Sequence, residues 1–167
     1  LTFALKNPSD LVARIGVDPA ESLLLVDAPE PLERLLAATR TAQAPLETVT
    51  EERLRSVKDR FDVVLVWRES RVGSQALLAT ALKRRNPSGA IWVVTAMRKV
   101  TGPKTPAAHR LGRRDLEETF AKAGLILDRE ARFSAWHEGY RFVGGEKAGS
   151  EGPKGGPREG APGLYST

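Results

Sequence analysis

The sequence predicts an α/β domain: a three-layer, doubly wound, mostly parallel sheet with an antiparallel C-terminal edge. Three observations carry this reading. Residues 22–27 (SLLLVD), 61–67 (FDVVLVW) and 90–96 (AIWVVTA) are apolar runs with little polar alternation, as strands covered on both faces require. Between them lie segments whose leucines and alanines recur at helical spacing, bounded by proline, glycine or asparagine. Near the end, two strand-like runs at 125–133 and 139–143 are joined by a short link at 134–138, so they pair as an antiparallel hairpin.

Taken in order, Ser9 is placed to N-cap a short helix over 10–15, which stops at Gly16, a natural left-handed position. The strand at 22–27 is broken by Pro29 and Pro31, and the next helix carries Leu32, Leu35 and Leu36 on one face. A short strand follows at 46–49. Thr50 then caps a brief helix whose first turn holds Glu51 and Glu52, where carboxylates favour the positive end of the dipole. Residues 61–67 are the strongest strand signal. Residues 74–85 read as a helix with Leu77, Leu78, Ala81 and Leu82 inward, and Asn86-Pro87-Ser88-Gly89 as the turn into the strand at 90–96. A loop over 97–112 leads to a helix near 115–123, with Leu116 and Phe120 inside and Gly124 at its end.

Composition limits the function classes. The chain has 167 residues, 41% hydrophobic and 28% charged, which suits one globular domain. No apolar run approaches the ~20 residues that span a bilayer, and the opening LTFALKNPSD is too polar for a secretory signal. Cysteine is absent, which removes thiolate chemistry and fits a reducing, cytoplasmic setting. The two histidines, His109 and His137, lie far apart in sequence with no carboxylate pair beside either, so no metal site is expected. Residues 144–167 hold eight of the fifteen glycines and three prolines. Such a segment buries too little to offset its ordering entropy and is expected to be a disordered tail behind a 1–143 domain. Its three acidic and three basic residues cancel, leaving the net charge of +5 on the folded part, which favours anionic partners.

The runs LLLVDAP, FDVVLVW, LKRRNPSGAIWVV, GLILDREARF and WHEGYRFV, in that order, resemble class I methyltransferases in strand order and punctuation. The likeness covers about residues 9–143. The chain looks most like a family of small bacterial proteins of unknown function, built as truncated methyltransferase-like Rossmann domains. The resemblance implies an S-adenosylmethionine site at the strand ends: Asp27 after the first strand, Glu51 (or Glu52) after the second to hold ribose hydroxyls, and Trp67 placed to stack on the adenine. Those roles hold only if the cofactor binds. Enzymes of this class follow the first strand with a glycine-rich turn that lets the backbone approach the cofactor. Here Ala28-Pro29-Glu30-Pro31 follows, and no glycine occurs between Gly16 and Gly73. Two prolines remove two backbone donors. Trp67-Arg68-Glu69-Ser70 also lacks the Asp/Asn-Pro-Pro-aromatic run of amino-group methylating enzymes. No catalytic residue is assigned and no cofactor is expected in the standard manner.

Ligands of open α/β sheets sit beyond the carboxyl ends of the strands, which places Asp27, Trp67, Arg68, Glu69 and residues 96–99 on the ligand face. The stretch 98–114 holds Arg98, Lys99, Lys104, Arg110, Arg113 and Arg114, with His109 and no acid before Asp115. Arg98, Lys99, Arg113 and Arg114 are therefore the candidate anion-binding residues, for an anionic ligand or an RNA backbone. No aromatic residue interleaves them, which argues against a stacking platform. Trp92 belongs to the core, and Trp136 either covers the sheet edge or marks a partner contact. The expected function is a divergent or non-catalytic methyltransferase-like domain that binds an anionic ligand, nucleic acid or a protein partner. The alternative is an active S-adenosylmethionine-dependent methyltransferase acting on a nucleotide or RNA.

Overall fold

The computed structural model describes residues 4–145. Its helices are α1 (Pro8–Ile15), α2 (Glu30–Ala37), α3 (Ser74–Lys83) and α4 (Arg113–Ala121). The strands are β1 (Leu23–Val26), β2 (Leu46–Val49), β3 (Phe61–Trp67), β4 (Arg85–Ala96), β5 (Leu125–Arg132) and β6 (His137–Gly144). They form one sheet in the order β2-β1-β3-β4-β6-β5. The first four strands run parallel, and β6 is antiparallel to both β4 and β5. This is the doubly wound sheet with an antiparallel edge that the sequence predicts. The chain runs from β1 outward to β2 and then returns past β1 to β3, so strand order reverses between β1 and β3.

Pleating divides the apolar runs between two cores. Val64, Val66, Ile91 and Val93 face Leu77 and Leu78 of α3, Leu116 and Phe120 of α4, and Leu54. Leu23, Leu25, Val63, Leu65 and Trp92 face Leu11 and Ile15 of α1 and Leu32 and Leu36 of α2. Every side chain of β1 is buried. That explains why these strands lack polar alternation: both faces are covered.

Local details depart from expectation. Helix α1 begins at Pro8 behind Asn7 (φ 42°), and no side chain caps it, so Ser9 lies inside the first turn. Proline at the first helical position has a suitable φ and needs no partner for its missing N–H. Gly16 ends this helix at φ 67°, as its sequence position implies. Residues Glu51–Ser56 form a 3-10 helix rather than an α-helix, without a side-chain cap from Thr50. Helix α4 starts two residues earlier than expected, with the Asp115 carboxylate accepting the Gly112 N–H at 2.9 Å.

The Asn86–Gly89 segment is not a free turn. It lies within β4, where three extra residues are accommodated: β3 advances from Phe61 to Val63 while β4 advances from Arg85 to Ala90. Asp62 organises this bulge. Its carboxylate accepts the Ser22 N–H and the Asn86 side-chain amide, each at 2.9 Å, and its own N–H donates to Ser22 Oγ. Gly89 is required because a Cβ there would sit 2.3 Å from the Asp62 carbonyl oxygen. Strand β6 extends through Gly144, and residues 146–167 of the expected tail lie outside the described residues.

Asp62→Ala removes the carboxylate that accepts the Ser22 N–H, the Ser22 hydroxyl and the Asn86 amide at the start of three neighbouring strands. Its expected cost is about 2–3 kcal/mol, read as a lower midpoint in urea unfolding. A change within ~0.5 kcal/mol, the range of an ordinary surface substitution, contradicts the role given to Asp62.

Candidate functional site

At the reversal between β1 and β3, Asp27 takes a left-handed backbone (φ 57°), which an aspartate tolerates better than most residues. Its N–H donates to the Val49 carbonyl at 2.9 Å, and its carboxylate accepts the Glu51 N–H at 3.3 Å. Burial raises the Asp27 carboxyl above its ordinary pKa, and the neighbouring Glu51 and Glu52 carboxylates add to this against the opposing Glu51 N–H. The chain then enters α2 directly. Pro29 occupies the N-cap and Pro31 the second helical position, while the N–H groups of Leu32 and Glu33 both donate to the Pro29 carbonyl. Glu30 pairs with Arg34 at 3.0 Å.

Arg68, just past β3, reaches across this rim. Its Nη1 meets Glu51 at 2.5 Å, Nε donates to the Ser70 carbonyl at 2.8 Å, and Nη2 donates to the Val72 carbonyl. Of the three residues singled out as cofactor contacts, Asp27 and Glu51 are therefore together. Trp67 is half-buried and packs against the cluster that holds Phe133. Its ring stands edge-on to Phe133 at 6.2 Å and lies 4.7 Å from the His137 imidazole.

A buried polar chain that sequence reading missed lies behind Trp67. Glu69 meets His137 Nε2 at 2.7 Å, and His137 Nδ1 meets Ser134 Oγ at 2.8 Å. Ser134 and His137 are each only 3% exposed. Burial would raise the Glu69 carboxyl, but hydrogen bonds from His137 and Thr105 outweigh it and hold the group below its usual range. A signal did exist: an antiparallel last strand begins at the rim where parallel strands end, which places His137 beside the residues following β3.

This chain anchors the basic loop. Thr105 N–H donates to the Glu69 carboxylate and Leu111 N–H to the Glu69 carbonyl, while Met97 N–H donates to the Trp136 carbonyl. Gly102 lies against the Trp136 indole so closely that a Cβ would approach to 2.4 Å. Arg110 is 8% exposed and points inward, donating to the carbonyls of Met97, Arg98, Val100 and Thr105. It is the arginine that shapes the loop.

The folded loop helps to form a cavity of about 510 Å³ beside the C-terminal end of β4, lined in part by Arg98, Lys99, Arg113 and Arg114. All four candidate anion-binding residues thus border one space, although the sequence separates them into two pairs. Arg71 and Arg110 also line it, against two carboxylates, Asp115 and Glu138. Arg113 is paired with Glu130 at 2.9 Å. Glu138 accepts the Tyr140 hydroxyl at 3.1 Å, and burial together with that carboxylate pushes the Tyr140 phenol far above its usual range. Two further cavities, of about 410 and 470 Å³, lie between α3 and α4 and between α3 and Glu51–Ser56, and neither Asp27 nor Trp67 lines any of the three. Among the described residues, no group of three or more His, Cys, Asp or Glu is placed to hold a metal ion, and no helix is long and apolar enough to cross a membrane.

No protein-family model matches the chain, and no curated protein sequence matches it. Its fold is similar to solved methyltransferases. An S-adenosylmethionine-dependent methyltransferase from Aquifex aeolicus superposes with a TM-score of 0.65 at 10% identity, over 82% of this chain and 89% of that one. Magnesium protoporphyrin IX methyltransferase from Synechocystis, with bound S-adenosylhomocysteine, gives 0.55 at 11% identity, over 82% and 80%. The mitomycin 7-O-methyltransferase gives 0.61 at 9% identity, over 81% of this chain and 52% of that one. At these identities the likeness is one of fold: the sheet and helices form a methyltransferase-like Rossmann domain.

Glu69→Gln tests the anchor. A carboxylate held at a depressed pKa contributes stability above its unfolded value of about 4.3, and that contribution is lost as pH falls through the lower folded value. The variant is expected to be about 1–2 kcal/mol less stable than wild type at pH 7, with the difference shrinking toward pH 3. Urea unfolding at the two pH values measures this, and a gap that does not change with pH contradicts it.

Proposed function

We propose that this chain is a divergent methyltransferase-like domain that acts by binding an anionic ligand in the basic cavity beside β4. The observation that carries the reading is the convergence of Arg98, Lys99, Arg113 and Arg114 on one space of ligand size. Cations arranged around a concavity can reach a bound anion from several sides, and partial exclusion of water strengthens each charge-assisted hydrogen bond. A flat basic face, suited to a long nucleic-acid backbone or a protein surface, would not need that enclosure.

The reversal between β1 and β3, where the resemblance puts S-adenosylmethionine, supports a different conclusion. Pro29 and Pro31 remove two backbone donors there, and the N–H groups of Leu32 and Glu33 are taken by the Pro29 carbonyl. The carboxylate that would hold the ribose is ion-paired with Arg68. These residues do not offer the standard grip. The second reading, an active methyltransferase on a nucleotide or RNA, is favoured by one feature: Asp27 and Glu51 still meet at the ends of β1 and β2.

Calorimetry separates the two. Tripolyphosphate is expected to bind the wild type with a salt-sensitive affinity. Replacing Arg98, Lys99, Arg113 and Arg114 together with alanine should weaken it at least tenfold, and unchanged affinity in that variant overturns the reading. S-adenosylmethionine and S-adenosylhomocysteine should show no micromolar binding. Micromolar binding of either, with transfer of labelled methyl groups to RNA or nucleotides, establishes the second reading instead.

A further inference from the structure

The chemistry of the cavity narrows the class of anion, an inference that rests on the reading just given. Its volume, about 510 Å³, lies in the range of pockets that enclose whole small molecules, roughly 300–1,000 Å³. A bare phosphate or sulfate would leave most of it empty. Between the charged groups the lining is apolar: Ala96 and Met97 from the end of β4, Val100 from the loop, and Leu111 before α4. Tyr140 adds a buried ring whose hydroxyl is already bonded to Glu138. A ligand filling the space therefore presents apolar surface to that part of the wall.

The cations are not equivalent. Arg110 is committed to four backbone carbonyls, Arg113 to Glu130, and Arg71 donates Nη2 to the Ala108 carbonyl. Arg98, Lys99 and Arg114 are exposed and form no ion pair with another described residue. They come from two directions, the loop after β4 and the first turn of α4, and the positive end of that helix faces the same way. Both carboxylates in the lining already have donors, Asp115 from the Gly112 N–H and Glu138 from Tyr140. Three available cations match a terminal dianionic group better than the single charge of a carboxylate or of a phosphodiester link.

We infer that the cavity takes a small phosphate monoester with an apolar or aromatic body, its phosphate toward Arg98, Lys99 and Arg114 and its body on Met97, Val100 and Leu111. Calorimetry of the full chain with phenyl phosphate, inorganic phosphate, benzoate and a twelve-nucleotide single strand tests this. Phenyl phosphate should bind at least tenfold tighter than inorganic phosphate or benzoate. The triple variant R98A/K99A/R114A should lose at least tenfold for phenyl phosphate. Val100→Ser, in a half-buried loop position, should weaken phenyl phosphate severalfold and leave inorganic phosphate unchanged. Equal affinity for phenyl and inorganic phosphate overturns the ligand class while leaving the anion-binding reading in place. Tighter binding of the oligonucleotide overturns the class in favour of a strand. If no anion binds, both readings fall.

Discussion

Arg68 directs all three of its guanidinium nitrogens into the protein, to Glu51, the Ser70 carbonyl and the Val72 carbonyl. In doing so it ties the segment after β2 to the segment after β3, across the rim where strand order reverses. Asp27 completes the tie from β1 by accepting the Glu51 N–H. In most doubly wound sheets this rim is the ligand crevice. Here its polar groups are largely paired with one another, and removing Arg68 or Glu51 leaves the other charge, partly buried, without its ion-pair partner. The prolines of the turn into α2 act in the same direction by withholding backbone donors.

With that crevice internally satisfied, the accessible positive charge lies one strand further along the sheet. The loop after β4 would be a floppy cationic segment without its supports. Arg110 gathers four of its carbonyls, Glu69 binds it at Thr105 and Leu111, and the Trp136 indole packs beneath Gly102. The buried Ser134–His137–Glu69 chain meets the loop at Thr105, whose carbonyl in turn accepts Arg110 from the cavity lining. Ser134 and His137 are too enclosed to meet a solvent-borne substrate.

Much of the fold was legible because local pattern and tertiary burial agree. The runs at 61–67 and 46–49 became β3 and β2 with the expected bounds, and Gly16 ends α1 as its position implies. What escaped sequence reading depends on contacts distant in the chain. Asn86-Pro87-Ser88-Gly89 has every local mark of a turn, yet Asp62, 24 residues away, draws it into an irregular strand. Glu69 and His137 are 68 residues apart, and only the sheet order brings them together. The basic residues of 98–114 were visible as a group, but their division was not. Whether an arginine faces a ligand or its own backbone, as Arg110 does, is decided by loop closure rather than composition.

We propose that this domain meets its ligand at the basic cavity beside β4 and not at the reversal between β1 and β3. Backbone amide NMR shifts recorded while phenyl phosphate is added test it most directly. The largest changes are expected within residues 95–100 and 110–115, with residues 27–30, 51 and 67–68 little affected. Largest changes at 27–30 and 51 would instead place the ligand in the crevice that Arg68 spans and contradict binding at the basic cavity.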